Sequence, residues 1–463
     1  MKNSKLFCLG WIVGSLATCQ EGPSKNRQEE EMLITNLRDH SVTLSGESDL
    51  DSLLAQIGDA RYVLLGEASH GTSEFYQWRA AITRRLIAEK GFTFVAVEGD
   101  WPAAYQVNQY LHGSPGQTRE VLRAFMRWPT WMWANEEIAQ LVDWMRTYND
   151  QVNTASSSAN GKVSFYGLDV YSLWESLDRL INDPQATNPE IRARAQEARQ
   201  CLAAFEGDEQ AYAIATLRGS RCNVALERLL EAVRSANAGT ALEQVNREQN
   251  ALVAVNAERY YYSMVRSDAE SWNIRDQHMA ATVDQLMALH GPTAKAIIWA
   301  HNTHVGDARF TDMAQAGMVN LGQLIRQAHE ADGVYIVGFG TYQGEVIAGD
   351  YWGAPAERMP VPRALSGSWD ELLYRVGPEN KIVLLNQMPQ EGVSAQERGQ
   401  RAIGVVYNPS SERGNYVPTV LGKRYDGYVF INQTQALTPL PVQAEARRDN
   451  AKAPVGTYAL IND

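Results

Sequence analysis

Only four cysteines occur in 463 residues, and none forms a Cys-x-x-Cys pair. That excludes zinc-ribbon and dithiol-exchange readings. There is no His-Glu-x-x-His segment of a helical zinc protease, no Gly-x-Ser-x-Gly elbow of the serine α/β-hydrolases and no Walker loop for a nucleotide phosphate. The glycines of "GFGTYQG" (338–344) miss the dinucleotide spacing and read as a strand followed by a turn. Basic residues are in the minority, 42 Lys and Arg against 54 Asp and Glu, and the formal net charge is -12. A chain of that sign, without a basic stripe, is not built to neutralise nucleic-acid phosphates. No internal repeat is seen. The apolar run at 6–17 is too short to cross a bilayer.

That run follows Lys2 and Lys5, so residues 1–19 read as a secretory signal. "LATC" ending at Cys19 also resembles a bacterial lipoprotein processing site. Simple cleavage and lipidation at Cys19 both stay open. Residues 20–31, "QEGPSKNRQEEE", read as a solvated tether, and the folded domain is expected from 32 to 463. Export, to the periplasm or to a membrane anchor, is the expected localisation. Cys201 and Cys222 would then meet an oxidising compartment, where pairing and two buried thiols are both open.

Short β-branched runs bounded by turn residues predict buried strands at 61–67, 93–99, 162–169 and 294–301. Later strand signals lie at "GVYIVGFGTY", "EVIAGDYW", "KIVLLNQ", "AIGVVYN" and "DGYVFIN". Helical periods fall between the early strands. This alternation predicts an α/β fold with a central, largely parallel sheet flanked by helices. From about 174 to 290 the pattern is helical throughout and reads as an inserted subdomain.

Each early strand ends in an ionisable residue: Glu67, Glu98, Asp169 and His301. Parallel strands place those ends at one edge, where open α/β sheets bind ligands. His70 follows Glu67 in a turn with Gly71, and His304 follows His301 by three residues. Arg79 shares the apolar stripe of Phe75, Ile82 and Leu86, so it faces the sheet and needs a carboxylate partner, Glu67 or Glu98. An imidazole beside a carboxylate can act as a general base on water. The tryptophan-dense loop "RWPTWMW" (127–133) reads as core packing or as an aromatic wall of a pocket.

The blocks "GEASHGTSEFYQWR" (66–79), "VEGDW" (97–101), "GLDVYSLWES" (167–176), "WNIRDQHMA" (272–280), "WAHNTHVGD" (299–307) and "RYDGYVFI" (424–431) resemble the erythromycin esterase family. The resemblance implies an α/β core with a helical insertion and a cleft over the sheet edge. It puts acids at Glu67 and Glu98, a water-activating histidine at His70, an arginine at Arg79 and a later pair at His301 and His304. Asp169, Arg275, Trp101 and Trp131 are the expected substrate contacts. The reaction expected is hydrolysis of an ester or macrolactone by His70-activated water, with no covalent intermediate, cofactor or metal. A non-catalytic envelope protein binding a small ligand, and a metal-dependent hydrolase using the same cleft, are the alternatives.

Overall fold

The computed structural model describes residues 23–154, 161–182, 188–236 and 239–442. The leader reading, with Cys19, lies outside the described residues. The strands are β1 (Ser41–Thr43), β2 (Tyr62–Leu65), β3 (Phe94–Asp100), β4 (Ser164–Asp169), β5 (Ala296–Trp299), β6 (Val334–Ala348), β7 (Glu357–Val361), β8 (Lys381–Val383), β9 (Arg398–Arg401), β10 (Tyr416–Thr419) and β11 (Gly427–Thr434). Among the described residues nine of them form one sheet in the order β1-β8-β11-β6-β2-β5-β3-β4, with β7 added to β6. From β11 to β4 every pairing on this path is parallel. β1, β8 and β7 pair antiparallel.

The core strands are apolar on both faces because helices cover both. Val63, Leu65, Val95 and Val97 point to one layer, with Phe75, Ile82 and Leu86 of the helix Ser73–Lys90. Tyr62, Leu64, Phe94 and Ala96 point to the other, with Met279, Val283 and Leu286 of the helix Asp268–His290. Between β4 and β5 the described chain is mainly helical and has its own core, which includes Leu177, Leu226, Leu229 and Tyr261. Cys201 and Cys222 are joined there by a disulfide.

Three local expectations are corrected. Residues 23–31 belong to the helix Pro23–Asp39, not to a tether; its Leu33, Ile34 and Leu37 enter the core and give the helix a face to bury. "GFGTYQG" does not turn: β6 runs straight through it, and its Gly338 and Gly340 leave room for the rings of Tyr425 and Tyr428. Residues 402–408 make only isolated bridges, Ile403 to Ser69 and Val406 to Gly349.

The turn that presents His70 is held by Gly71 through close approach. Its carbonyl accepts from the Ile347 and Leu437 amides, at 3.0 Å each. A Cβ here would run into the Ile347 carbonyl, whereas one at Gly46 would meet nothing. Gly71→Ala is therefore expected to cost about 1–3 kcal/mol, the range of overpacked sites. Gly46→Ala should leave the protein unchanged. Urea unfolding followed by circular dichroism checks both, and equal midpoints for the two variants would contradict this packing.

Candidate active site

Glu67 is the second residue after β2, where the sheet edge opens. Its carboxylate is 1 % exposed and faces two partners. Oε2 accepts from Arg79 Nη2, and Oε1 lies 2.9 Å from His70 Nδ1. Arg79 is wholly buried. Its guanidinium sits 4.3 Å from the Tyr76 ring centre and 4.4 Å from that of Trp299. Ring faces on a cation already paired with a carboxylate are what make such burial tolerable.

Glu98 is aimed by an irregularity in β3. Val97 pairs with Gly167 and Asp100 with Asp169, so two residues of β3 oppose one of β4. Such a bulge turns a side chain out of the pleat. Gly99 makes it feasible, because a Cβ there would strike the Trp133 indole, whose Nε1 donates to the Glu98 carbonyl at 2.9 Å. The Glu98 carboxylate accepts from Arg275 Nη2 at 2.6 Å and from the His301 amide at 2.8 Å. Arg275 also grips Asp169 through Nε at 2.9 Å and Nη2 at 2.7 Å. Burial alone would raise the Glu98 pKa. His304, Arg275, His70 and the His301 amide together outweigh it and hold the acid well below the carboxylate range.

The three histidines sit in different fields. Burial tends to neutralise His70, but the hydrogen bond to Glu67 and the charges of Glu98 and Glu67 win, so its pKa lies above 6.5. His301 is pushed well below 6.5 by burial and by His70, against the opposing pull of Glu98. Its Nδ1 accepts from the Thr303 amide at 3.3 Å, which leaves the proton on Nε2. That buried nitrogen has no hydrogen-bond partner among the described residues, though the Ala68 carbonyl lies near enough to favour a proton on the ring. The rings of His70 and His301 are 4.8 Å apart. His304 faces Asp276 through Nδ1 at 2.9 Å and Arg275 Nη1 through Nε2 at 2.9 Å, and stacks on Trp272 at 4.5 Å. Arginine can only donate, so in this arrangement Nε2 accepts from Arg275 and Nδ1 is the nitrogen turned to Asp276. Glu98 Oε1 lies 3.4 Å from the same Nε2.

These groups open into a cleft of about 2620 Å³, which His70, Glu98, Asp169, Arg275, His301 and His304 all line. Drug-sized pockets hold roughly 300–1,000 Å³, so this space suits a large ligand. Among the described residues no three His, Cys, Asp or Glu side chains are grouped to hold a metal ion. The carboxylates that would have to do so are engaged by Arg79 and Arg275.

The expected residues thus converge, with Trp101 as the exception, and the structure resolves which acid each arginine serves. Arg79 pairs with Glu67 alone; Glu98 is served by Arg275 instead. Trp101 is buried and is not part of the cleft lining. It begins the helix Trp101–Leu111, stacks on Tyr166 at 5.6 Å and donates to Asn246, in the layer on the far side of β3. Its neighbour Asp100 lines the cleft instead, and burial raises the Asp100 pKa to about 7 despite Arg127. Trp131 does line the cleft while packing in the core. Sequence reasoning missed Asp276, Trp272 and the ion-pairing of Arg127; Trp128 belongs to the loop read as core or aromatic wall, and it lines the cleft. Trp272, Arg275 and Asp276 are spaced i, i+3 and i+4, one helix face, and that spacing was the available signal. Trp128 packs on Trp352 at 4.7 Å across the cleft wall.

The family profile "Erythromycin esterase" matches residues 87–434, and the chain belongs to that family. It is 23% identical over 380 residues to erythromycin esterase type II of Escherichia coli, covering 74% of this chain and 85% of that protein. A succinoglycan biosynthesis protein shares the fold with a TM-score of 0.72 and 21% identity, over 88% of this chain and 98% of the other. A Bacillus cereus protein does so with a TM-score of 0.72 and 20% identity, over 89% and 99%. The erythromycin esterase EreC, a mutant in its open conformation, aligns with a TM-score of 0.63 and 16% identity, over 85% and 98%. The family supports an esterase-type hydrolase.

Glu67→Gln strands the Arg79 guanidinium with no counter-ion in a site closed to water. The expected loss is about 3–5 kcal/mol. Adding Arg79→Met to that variant should recover part of it, because both members of the pair are then apolar or neutral. Chemical unfolding of the three proteins measures this, and a double variant less stable than Glu67→Gln would contradict it.

Proposed function

We propose that the cleft hydrolyses a bulky ester or macrolactone by direct attack of water. The observation that carries this reading is the pairing of opposite proton affinities 4.8 Å apart, a basic His70 and a neutral, proton-bearing His301. Glu67 accepts from His70 Nδ1–H, so the lone pair is on Nε2. Water gives its proton to that nitrogen while its oxygen bonds to the ester carbonyl carbon. His301 Nε2–H donates to the carbonyl oxygen as it becomes negative, the task of an oxyanion donor. Collapse breaks the carbon–oxygen bond of the ester, and the proton held by His70 goes to the leaving alkoxide. The products are one acid and one alcohol, or a single ring-opened hydroxy acid. Glu98 and Arg275 fix the charge around the pair, and His304, held by Asp276, supports Arg275.

A macrolide-like substrate is supported by the cleft volume and by what the named relatives are called. The binding walls are proposed to be Trp131, Trp128 and the acids Asp100 and Asp169. Export is supported by the Cys201–Cys222 disulfide, a bond typical of oxidising compartments. Cys19 is the proposed lipid anchor.

The test is mass spectrometry of macrolides, simple esters and lactones incubated with the protein, looking for the gain of one water. His70→Ala is expected to lower turnover by about 10²–10⁴-fold, the share of a general base, with unchanged circular dichroism. Near-normal turnover by that variant would remove the mechanism. Because His70 must be neutral to accept a proton, kcat/KM should rise with pH and level off above a midpoint higher than 6.5. A flat profile from pH 5 to 8 would count against His70 as the base.

A further inference from the structure

One charged residue ties together three pieces of the cleft wall that the chain brings from separate places. Arg127, at the start of the tryptophan loop, reaches Asp100 at the end of β3 through Nε at 3.1 Å. Its Nη2 bonds both oxygens of Glu175, at 2.9 and 2.8 Å, on the helix Leu173–Asn182. Its Nη1 bonds Glu209, the first residue of the helix Glu209–Thr216. The Arg127 side chain is 11 % exposed, and its contacts with Asp100 and Glu209 are largely shielded from solvent, while the Glu175 carboxylate is open to it. A single planar fork satisfies a sheet residue and two subdomain helices at once, which lysine geometry cannot do.

The segment that Glu209 belongs to is itself tethered. The disulfide between Cys201 and Cys222 closes a loop over residues 202–221, and Phe205, Asp208, Glu209 and Ile214 of that loop line the cleft. Its rear is pinned to the subdomain. Arg266 donates to the Thr216 carbonyl at 2.9 Å, and Tyr212 donates to the buried Glu258 at 2.8 Å. The cleft-facing end is held to the sheet side through Arg127.

We propose that Arg127 is the positioning residue for substrate binding: it fastens the disulfide-closed rim 202–221 to the edge of the sheet, so that the rim and the tryptophan loop close on a bound ester. The proposal rests on the hydrolase reading for what is bound, but not for the fastening itself. Arg127 lies outside the Glu67–His70–His301 set, so loosening it should affect binding more than chemistry.

The test uses the full chain and two readouts. Hydrogen exchange of the backbone amides in 202–211 needs no substrate. Arg127→Met and Glu209→Gln are each expected to speed it by about tenfold or more, as for a locally opening segment. Arg127→Lys should fall between, and reduction of the disulfide should add to each. Steady-state kinetics on whichever ester gains one water should show KM raised about tenfold or more in both variants, with kcat within about threefold. Glu209→Gln changes only the rim partner and leaves Arg127 with Asp100 and Glu175, so it keeps the test decisive if Arg127→Met does not fold. Unchanged exchange in 202–211 would overturn the fastening. A loss of kcat at constant KM would overturn the role in binding. If no ester is hydrolysed, the hydrolase reading fails, and the exchange experiment still decides this one.

Discussion

The site depends on compensating buried carboxylates with dedicated guanidinium groups. Glu67 and Glu98 are almost fully buried, 1 % and 3 % exposed, where an unpaired charge would simply be neutralised. Arg79 serves the first from behind, pressed between Tyr76 and Trp299. Arg275 serves the second from the side, with Asp169 as its other ligand. The two pairs are built differently, and that difference matters. Arg79 is inaccessible, so Glu67 keeps one oxygen for His70. Arg275 lines the cleft and is within reach of a substrate.

Once the anions are fixed, the histidines acquire different characters from position alone. His70 touches Glu67 and feels Glu98, so it holds a proton readily. His301 accepts a backbone amide and lies beside His70, so it resists becoming a cation. Two chemically identical side chains 4.8 Å apart thus come to differ in proton affinity. Environments that push the proton affinities of neighbouring groups apart are how one site assigns acid and base roles.

Much of this was legible in the sequence, for a physical reason. Parallel strands put all their carboxyl ends on one edge, so reading four short apolar runs was enough to gather Glu67, Glu98, Asp169 and His301. The stripe containing Arg79 was equally plain, because a cation among Phe75, Ile82 and Leu86 has no other place to go. What could not be read was which acid each arginine serves. That depends on the bulge at Glu98 and Gly99, a one-residue change of register that leaves no pattern in composition. The same bulge, with the helix starting at Trp101, decides that Asp100 faces the cleft and Trp101 the core. A residue's neighbours in sequence carry no information about such a reversal. The helix at Pro23–Asp39 was hidden by its charge: three glutamates in a row read as solvated, although Leu33, Ile34 and Leu37 behind them supply a buried face.

The helical insertion is more than a decoration on the sheet. Its last helix, Asp268–His290, begins at the cleft and ends beneath β3, where His290 stacks on Phe94. Arg275 and Asp276 ride on the cleft end of that helix, while Met279, Val283 and Leu286 bury its remainder against the sheet. The chain then enters β5 and delivers His301 and His304 to the same edge. Asp276 meets His304, and Arg275 meets Asp169 at the end of β4, the strand just before the insertion. The insertion therefore closes a circuit between the two strands it separates. A shift of that helix by one turn, about 5.4 Å, would break both contacts together. The core packing of one apolar face thus fixes the position of the guanidinium on the other end, and the stability of the subdomain and the geometry of the site are set by the same helix.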